Sequence, residues 1–412
     1  VARVTTFKYT VTVVSSGGNK YAIDGNTQQY VILFPGCTYE FNQDDSSNGT
    51  HPLRFSETSD GTHNSGSEYT TGVTTSGTPG SATAFTKIEV TSSTPQRLYY
   101  YCSSHSGMGG EVNIPDNFTN NGDDSIYYGG INPSAVNTID ISSFSSEGDA
   151  TDFGDATNTT YGGASVCSTT RVLVGGGVVG PALTDDIRRM ILSSKGNSFT
   201  FSNLTQSRRA LGGAQNKTRG IFAGGYEPTF YNVIDFITTA TTGDATDFGD
   251  LTNSRLGTLG VSSPSRAVFG GGGTPSNVNT IDYVTIATTG NASDFGDLTT
   301  ATNFECHSGA SSSTRGIFAG GSTPSKVNTI EYVTIGSTGN ATDFGDLTTG
   351  KSGTFQTSNN TKCFIAGGAT PSEVNTIEKI TIASTGNATD IADLTQARQQ
   401  GTGASNSNGG LQ

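Results

Sequence analysis

The sequence predicts an all-β protein in two parts, a strand-rich segment without repeats over residues 1–114 and a cyclic array of short strands over residues 125–412. Three observations carry this. β-Branched residues, Phe and Tyr recur at regular intervals between glycine turns, which argues for short strands over a solvated coil even though only 32% of the residues are hydrophobic. No long internal repeat occurs before Ser125, whereas one pattern returns six times after it. A chain of 412 residues is also too long for one small core.

Composition excludes several classes of function. A formal charge of −13 and a pI near 4.6 argue against a nucleic-acid partner, which would need a basic stripe to neutralise phosphates. No run approaches the roughly 18 apolar residues of a membrane helix, so no membrane insertion is expected, and no stretch resembles a signal peptide. The chain opens at Val1 without Met, which suggests a preceding segment removed or left out. Five scattered cysteines, an odd number, argue against a disulfide framework.

In the first part "FKYTVTVVS", "YVILFPGCTYEFN", "HPLRFSE", "TKIEVTS" and "RLYYYC" read as strands. The turn-rich "IPDNFTNNGDDS" follows, and residues 115–124 read as a linker. The stretch "LYYYCSSHSGMGGEV" places Cys102, His105 and Met108 at three-residue intervals, in a chain with only two methionines and four histidines. These are soft or borderline metal ligands, and a His from another strand would complete the set of a blue-copper site. His51, after "CTYEFNQDDSSNGT", qualifies; His63 falls in a polar loop and is not counted as a ligand.

Over about residues 7–114 the chain resembles the cupredoxins, of the amicyanin and plastocyanin type, through its C-x2-H-x2-M loop and upstream His. The resemblance implies a Greek-key β-sandwich with His51, Cys102, His105 and Met108 holding copper at one end. Two departures stand out. Cupredoxins commonly carry Asn after the first His and use its N–H to bond the copper thiolate, whereas Pro52 has no N–H. The loop residues Ser103, Ser104, Ser106, Gly107 and Gly109 also lack the apolar side chains of a redox docking patch. The alternative is a domain that keeps these residues as packing, with a free thiol at Cys102.

In the second part "SIYYGGINPSAVNTID" returns as "RAVFGGGGTPSNVNTID", "RGIFAGGSTPSKVNTIE" and "KCFIAGGATPSEVNTIE", with divergent copies "RVLVGGGVVGPALTDD" and "RGIFAGGYEPTFYNVID". The leading glycines are Gly129, Gly176, Gly224, Gly271, Gly320 and Gly367, spaced by 47, 48, 47, 49 and 47 residues. Six strand-like units with this period predict a six-bladed propeller. The strand-terminal double glycine resembles the kelch repeat across residues 125–412, although Phe153, Phe201, Phe248, Phe295, Phe344 and Ile391 stand where kelch units usually carry Trp. The first unit lacks its leading strand and the C-terminal "LTQARQQGTGASNSNGG" matches it, so residues Ala397 to Ser405 are expected to pair with Ser125 to Gly130 and close the ring.

The repeated polar residues admit two readings each. "DFGD" at Asp152–Asp155, Asp247–Asp250, Asp294–Asp297 and Asp343–Asp346 could offer carboxylates to calcium. The second unit, with Thr200 and Asn203 there, keeps only the aromatic, so a buried Phe with Asp side chains bonding turn backbone is the reading adopted. Arg171, Arg219, Arg266, Arg315 and Lys362 share one position, held by Asp124 in the first unit; a basic ring for an anion is weighed against solvated turn residues, which are preferred. Asn291, Asn340 and Asn387 match glycosylation acceptors only because the turn repeats, and Cys167, Cys306 and Cys363 read as small strand hydrophobes. A kelch-type copper oxidase would need two His ligands, and only His307 lies in the repeats, so no enzyme is expected. The third unit alone replaces small loop residues with Tyr226, Glu227, Phe230 and Tyr231, which could stack on and bond sugars or simply pack against the second unit.

The repeat style and the "HPLRFS … YYYCSSHSGMGG" module resemble virion structural proteins of marine tailed phages, notably those infecting cyanobacteria. That resemblance implies a non-enzymatic virion appendage such as a tail fibre, spike or head decoration. It implies an extracellular position on the virion surface, other virion proteins and a host-surface glycan or receptor as partners, and room for homo-oligomerisation. The alternative is a secreted blue-copper electron-transfer protein whose propeller docks it to a partner.

Overall fold

The structure, a computed structural model, describes residues 6–33, 37–91, 94–95, 97–114, 123–168, 170–192, 196–241, 243–305 and 308–407. It is all-β, built from many small sheets, and divides into two compact units, Val1–Thr119 and Asn120–Gln412. The expected linker is shorter at its end than its sequence suggested, because Asp124 already opens the strand Asp124–Tyr128; residues 115–122 lie outside the described residues.

The first unit has two sheets around one core. One contains Thr6–Ser15, Asn19–Ile23, Thr38–Asn42, Val73–Ser76 and Phe85–Glu89, with the first and third of these parallel. The other runs through Val31–Ile32, Gly110–Asn113, Arg97–Cys102, Leu53–Ser56 and Glu68–Tyr69. "YVILFPGCTYEFN" therefore holds two strands in different sheets, Val31–Ile32 and Thr38–Asn42. Strand alternation decides what faces inward. Leu98, Tyr100 and Cys102 join Leu53 and Phe55 in the core, where Phe55 meets Phe41 of the other sheet edge-on at 5.4 Å.

In the second unit the described residues form six four-stranded antiparallel sheets, accompanied by short hairpins. Five come from one repeat each, for example Leu259–Ser262, Arg266–Gly270, Thr280–Thr285 and Ser293–Asp297. The first instead takes Thr402–Ser405 from the chain's far end, with Ser125 opposite Ser405 and Tyr128 opposite Thr402. Residues 397–401 are not part of this strand. They belong to a turn that recurs in every repeat and carries a closed circuit of backbone hydrogen bonds. Gly162 N–H donates to Gln400, Gln400 to Gly353, Gly353 to Phe304, Phe304 to Gly257, Gly257 to Ala210, and Ala210 back to Gly162. Inside the circuit Ser165, Ser308 and Thr402 bond one another through their hydroxyls at 2.8–2.9 Å.

The "DFGD" motif is a β-bulge. Ile281 pairs with Gly296 and Asp282 with Asp294, so Phe295 is the extra residue and turns into the core, 2% exposed. The same shift recurs in all six sheets, which explains why the large apolar residue persists while its neighbours vary. Gly296 (φ 148°) is needed because a Cβ there would stand 2.5 Å from the Gly339 carbonyl oxygen of the next repeat. The expectation that Asp side chains bond the turn is corrected. Asn291, Asn340 and Asn387 supply the side chains, whose Oδ1 atoms accept the N–H of Asp250, Asp297 and Asp346, while Asp247, Asp294 and Asp343 are exposed.

The shared basic position is also corrected. Arg219, Arg266 and Arg315 are half-buried, donate to the carbonyls of Ile286, Ile335 and Ile382 in the following repeat, and stack 4.6–4.8 Å from the centres of Phe236, Tyr283 and Tyr332. Arg171 and Lys362 likewise donate to Ala240 and Phe144 carbonyls. These cations clamp one repeat to the next, with donors and flat faces already engaged.

A second set of charges lies deeper. Arg398–Asp140, Arg208–Asp235, Arg255–Asp282 and Lys351–Glu378 form ion pairs of 2.8–3.1 Å with side chains fully shielded from solvent. A threonine of an "LT" dipeptide holds each acid through its backbone N–H and hydroxyl, as Thr252 does for Asp282 at 3.1 and 2.7 Å. Burial lowers the pKa of Arg208, Arg255 and Arg398 and the facing carboxylates oppose it.

Candidate metal centre

His51, Cys102 and His105 come together at the rim of the first unit's core, and their donor atoms all lie within 4.8 Å of one another. Cys102 Sγ is 3.8 Å from His51 Nδ1 and 3.7 Å from His105 Nδ1, and the two imidazole rings are 4.6 Å apart, centre to centre. Cys102 and His51 are buried, whereas His105 is exposed. Met108 is 1% exposed and belongs to the same hydrophobic cluster as Cys102.

Local sequence explains each placement. Cys102 ends a strand whose alternation points it inward after Leu98 and Tyr100. The return of the loop depends on Gly109, where any Cβ would fall 1.7 Å from the Tyr100 carbonyl oxygen. His51 follows a 3-10 turn, Ser46–Asn48, capped by the Asp45 side chain, and its N–H donates to Asn48 O at 2.8 Å.

Four supporting residues were not read from the sequence. Gln43 is buried and brackets His51: its Nε2 donates to the His51 carbonyl at 2.9 Å, while its Oε1 accepts the N–H of Leu53 at 3.1 Å. Tyr21 joins both ligand segments, donating its hydroxyl to His51 O at 2.7 Å and its backbone N–H to Met108 O at 2.9 Å. Asp60 accepts the Gly107 N–H, and Gln28 donates to the carbonyl of Gly109 at 2.6 Å. No sequence signal marks these residues, because each acts through a neighbour remote in the chain. His63, set aside as a ligand, bonds the Cys102 carbonyl at 2.9 Å and braces the ligand loop through backbone.

The donor set fits a soft or borderline transition metal. Two imidazoles, a thiol and a thioether are the combination that suits copper, and their partial burial limits water. Burial lowers the His51 pKa and the neighbouring His105 adds to this, and both favour the neutral ring that binds a metal. Pro52 offers no N–H to the sulfur; its carbonyl instead accepts the Ser103 N–H at 3.0 Å, tying the two ligand strands together.

The aromatic loop of the third repeat is half-buried at Tyr226, Glu227, Phe230 and Tyr231. Tyr226 and Phe230 meet edge-on at 5.4 Å, Arg209 covers the Tyr226 ring at 5.7 Å, and the Tyr231 hydroxyl donates to the Glu227 carbonyl. The three aromatic side chains are thus each engaged by a neighbour. Cys167 and Cys363 are buried in strands, while Cys306 and His307 lie outside the described residues. The chain matches no family model and no curated protein.

Proposed function

We propose that the first unit is a cupredoxin-like copper-binding domain, and that the second is a six-bladed, kelch-like propeller serving as a non-enzymatic binding scaffold. The observation that carries the metal reading is the placement of two imidazole nitrogens within 4 Å of the buried Cys102 sulfur, with buried Met108 in the same hydrophobic cluster as Cys102. His51, Cys102, His105 and Met108 would hold copper, which when bound would supply one-electron redox chemistry and an intense thiolate charge-transfer colour. The propeller reading rests on six sheets of equal period, the closing pair of Asp124–Tyr128 with Thr402–Ser405, and the hydrogen-bond circuit through all six repeats.

On this reading the chain is an appendage exposed on a phage particle, with the third-repeat loop facing a host glycan or receptor. Its support is the resemblance of the repeats to virion proteins. Electron transfer is the second reading, favoured by one feature: His105 is exposed while the other two close donors are buried, which gives an edge for electrons.

Titration of reduced protein with Cu(II) tests the proposal. The wild type takes up one equivalent and turns intensely coloured, and Cys102→Ser abolishes the band while leaving the fold. A wild type that stays colourless and retains no copper on metal analysis refutes the copper site.

A further inference from the structure

The fifth repeat breaks the pattern of buried ion pairs in one respect. Glu331 occupies the acid position, 5% exposed, and Thr299 holds it as the equivalent threonines hold the other acids, through N–H (2.9 Å) and hydroxyl. Among the described residues no cation faces it. The repeat position filled by Arg208, Arg255, Lys351 and Arg398 is here Thr302, as shared backbone bonding shows: Gly272 N–H donates to Thr302 O as Gly225 does to Arg255 O and Gly321 to Lys351 O. The second repeat lacks a cation at this position as well, with Thr160, but places Arg188 at the acid position and bonds the two at 2.7 Å. Thus, among the described residues, every sheet but the fifth has a buried cation here.

Phe304, buried and 6.0 Å from the Phe318 ring, refills the space only in part. A cavity of about 90 Å³ remains beside Glu331, lined by Thr302, Thr323, Thr329 and Phe318 among others. It opens between the loop after Gly320-Gly321 and a turn where Thr299 and Thr300 are exposed. Thr299 N–H and hydroxyl both bond Oε1, and among the described residues no hydrogen bond engages Oε2. Burial raises the Glu331 pKa; the two Thr299 hydrogen bonds oppose this and Asp343 adds to it.

We propose that this cavity is a binding site for a guanidinium or primary ammonium group, which takes the place that Arg255 and Lys351 side chains occupy in the neighbouring repeats. The carboxylate supplies charge, the fixed threonine bonds orient it, and the surrounding threonine hydroxyls suit the remaining N–H donors. The neighbouring sheets show that this pocket geometry accepts both head groups. The ring of Phe318 offers an apolar floor in the same cavity.

Calorimetric titration of the full chain with methylguanidinium, and separately with N-acetyl-arginine amide, tests the proposal, with thermal melts alongside. Millimolar methylguanidinium should bind at one site and raise the melting temperature saturably, where non-specific denaturation would lower it without saturation. Binding of methylguanidinium alone assigns a free small cation; binding of both assigns a peptide-borne side chain. Glu331→Gln preserves the acceptor for Thr299, and should weaken binding by about tenfold or more as the charge-assisted bonds are lost. Thr302→Arg fills the slot from within, and should abolish binding while raising the melting temperature of the free protein. No saturable binding to the wild type, or equal binding to all three proteins, shows a merely water-filled cavity and overturns the proposal.

Discussion

Arg255→Met is the sharpest probe of what holds the six sheets together. The Arg255–Asp282 pair is shielded from solvent on both sides, at 3.1 Å, and Asp282 retains Thr252 as its other partner. Removing the cation strands a buried carboxylate, which costs about 3–5 kcal/mol. At about 2–4 °C per kcal/mol for a unit of this size, the calorimetric transition should fall by roughly 10 °C. Asp282→Asn in the same chain removes the stranded charge and keeps the acceptor for Thr252, so the double variant should regain at least half of the loss. Recovery is favoured further because Arg255 Nε and Nη1 have no hydrogen-bond partner among the described residues. A single variant within about 0.5 kcal/mol of wild type, the level of an ordinary surface change, refutes the argument. So does a double variant no better than the single.

Glu331 should show the opposite pH signature to a salt-bridged acid. Its pKa is raised in the folded chain, so the stability associated with its neutral form is complete below the unfolded value and lost as pH rises through the folded one. In phosphate buffer free of organic cations, Glu331→Gln should melt with wild type near the ordinary glutamate pKa of about 4.3 and above it at pH 8; parallel melting curves against pH contradict this. Gln43→Leu leaves the Leu53 N–H unpaired and frees the His51 carbonyl from one of its two side-chain donors. It should cost about 1–3 kcal/mol and weaken copper uptake by about tenfold or more, read by unfolding and by competition with a chelator. Replacing Tyr226, Phe230 and Tyr231 together by Ser separates binding from packing: lost adsorption to cells or glycans with unchanged melting supports a recognition loop, and lower melting with intact adsorption refutes it.

The regularities of the sequence were legible where a local rule produced them. Strand alternation brought Cys102 to the core side, the glycine period gave the number of sheets, and the missing leading strand gave the closing pair. The His51, Cys102 and His105 cluster was legible through donor type, although the sequence alone could not give its distances. What escaped were contacts between residues remote in the chain. Gln43 and Tyr21 look like ordinary polar residues in strand edges until the fold sets them against His51. The buried ion pairs left a trace, since "LT" is followed three residues later by Arg in the repeats leading to Asp235, Asp282 and Asp140, and each acid sits just after "NTI" or its equivalent. Reading "NTID" and "NTIE" only as strand pattern hid that trace. The five clamp cations misled for a related reason. A charge at a turn looks solvated, whereas long stems let these reach the carbonyls of the next repeat.

The closing strand pair has a mechanical consequence. Asp124 and Asn406 lie at the same end of one antiparallel pair, in which Ser125 faces Ser405, and the Asp124 N–H donates to Asn406 Oδ1 at 3.0 Å. A pull applied to these two strands from that end therefore loads the bonds between them one after another, starting with those between Asp124 and Asn406, and peels the seam open. Parallel strands pulled from opposite ends would share the load across all their bonds at once. Such tension should thus open this strand pair at low force while the five single-repeat sheets stay folded. Tethering through one of the two strands alone, with the load borne elsewhere on the unit, spares the seam.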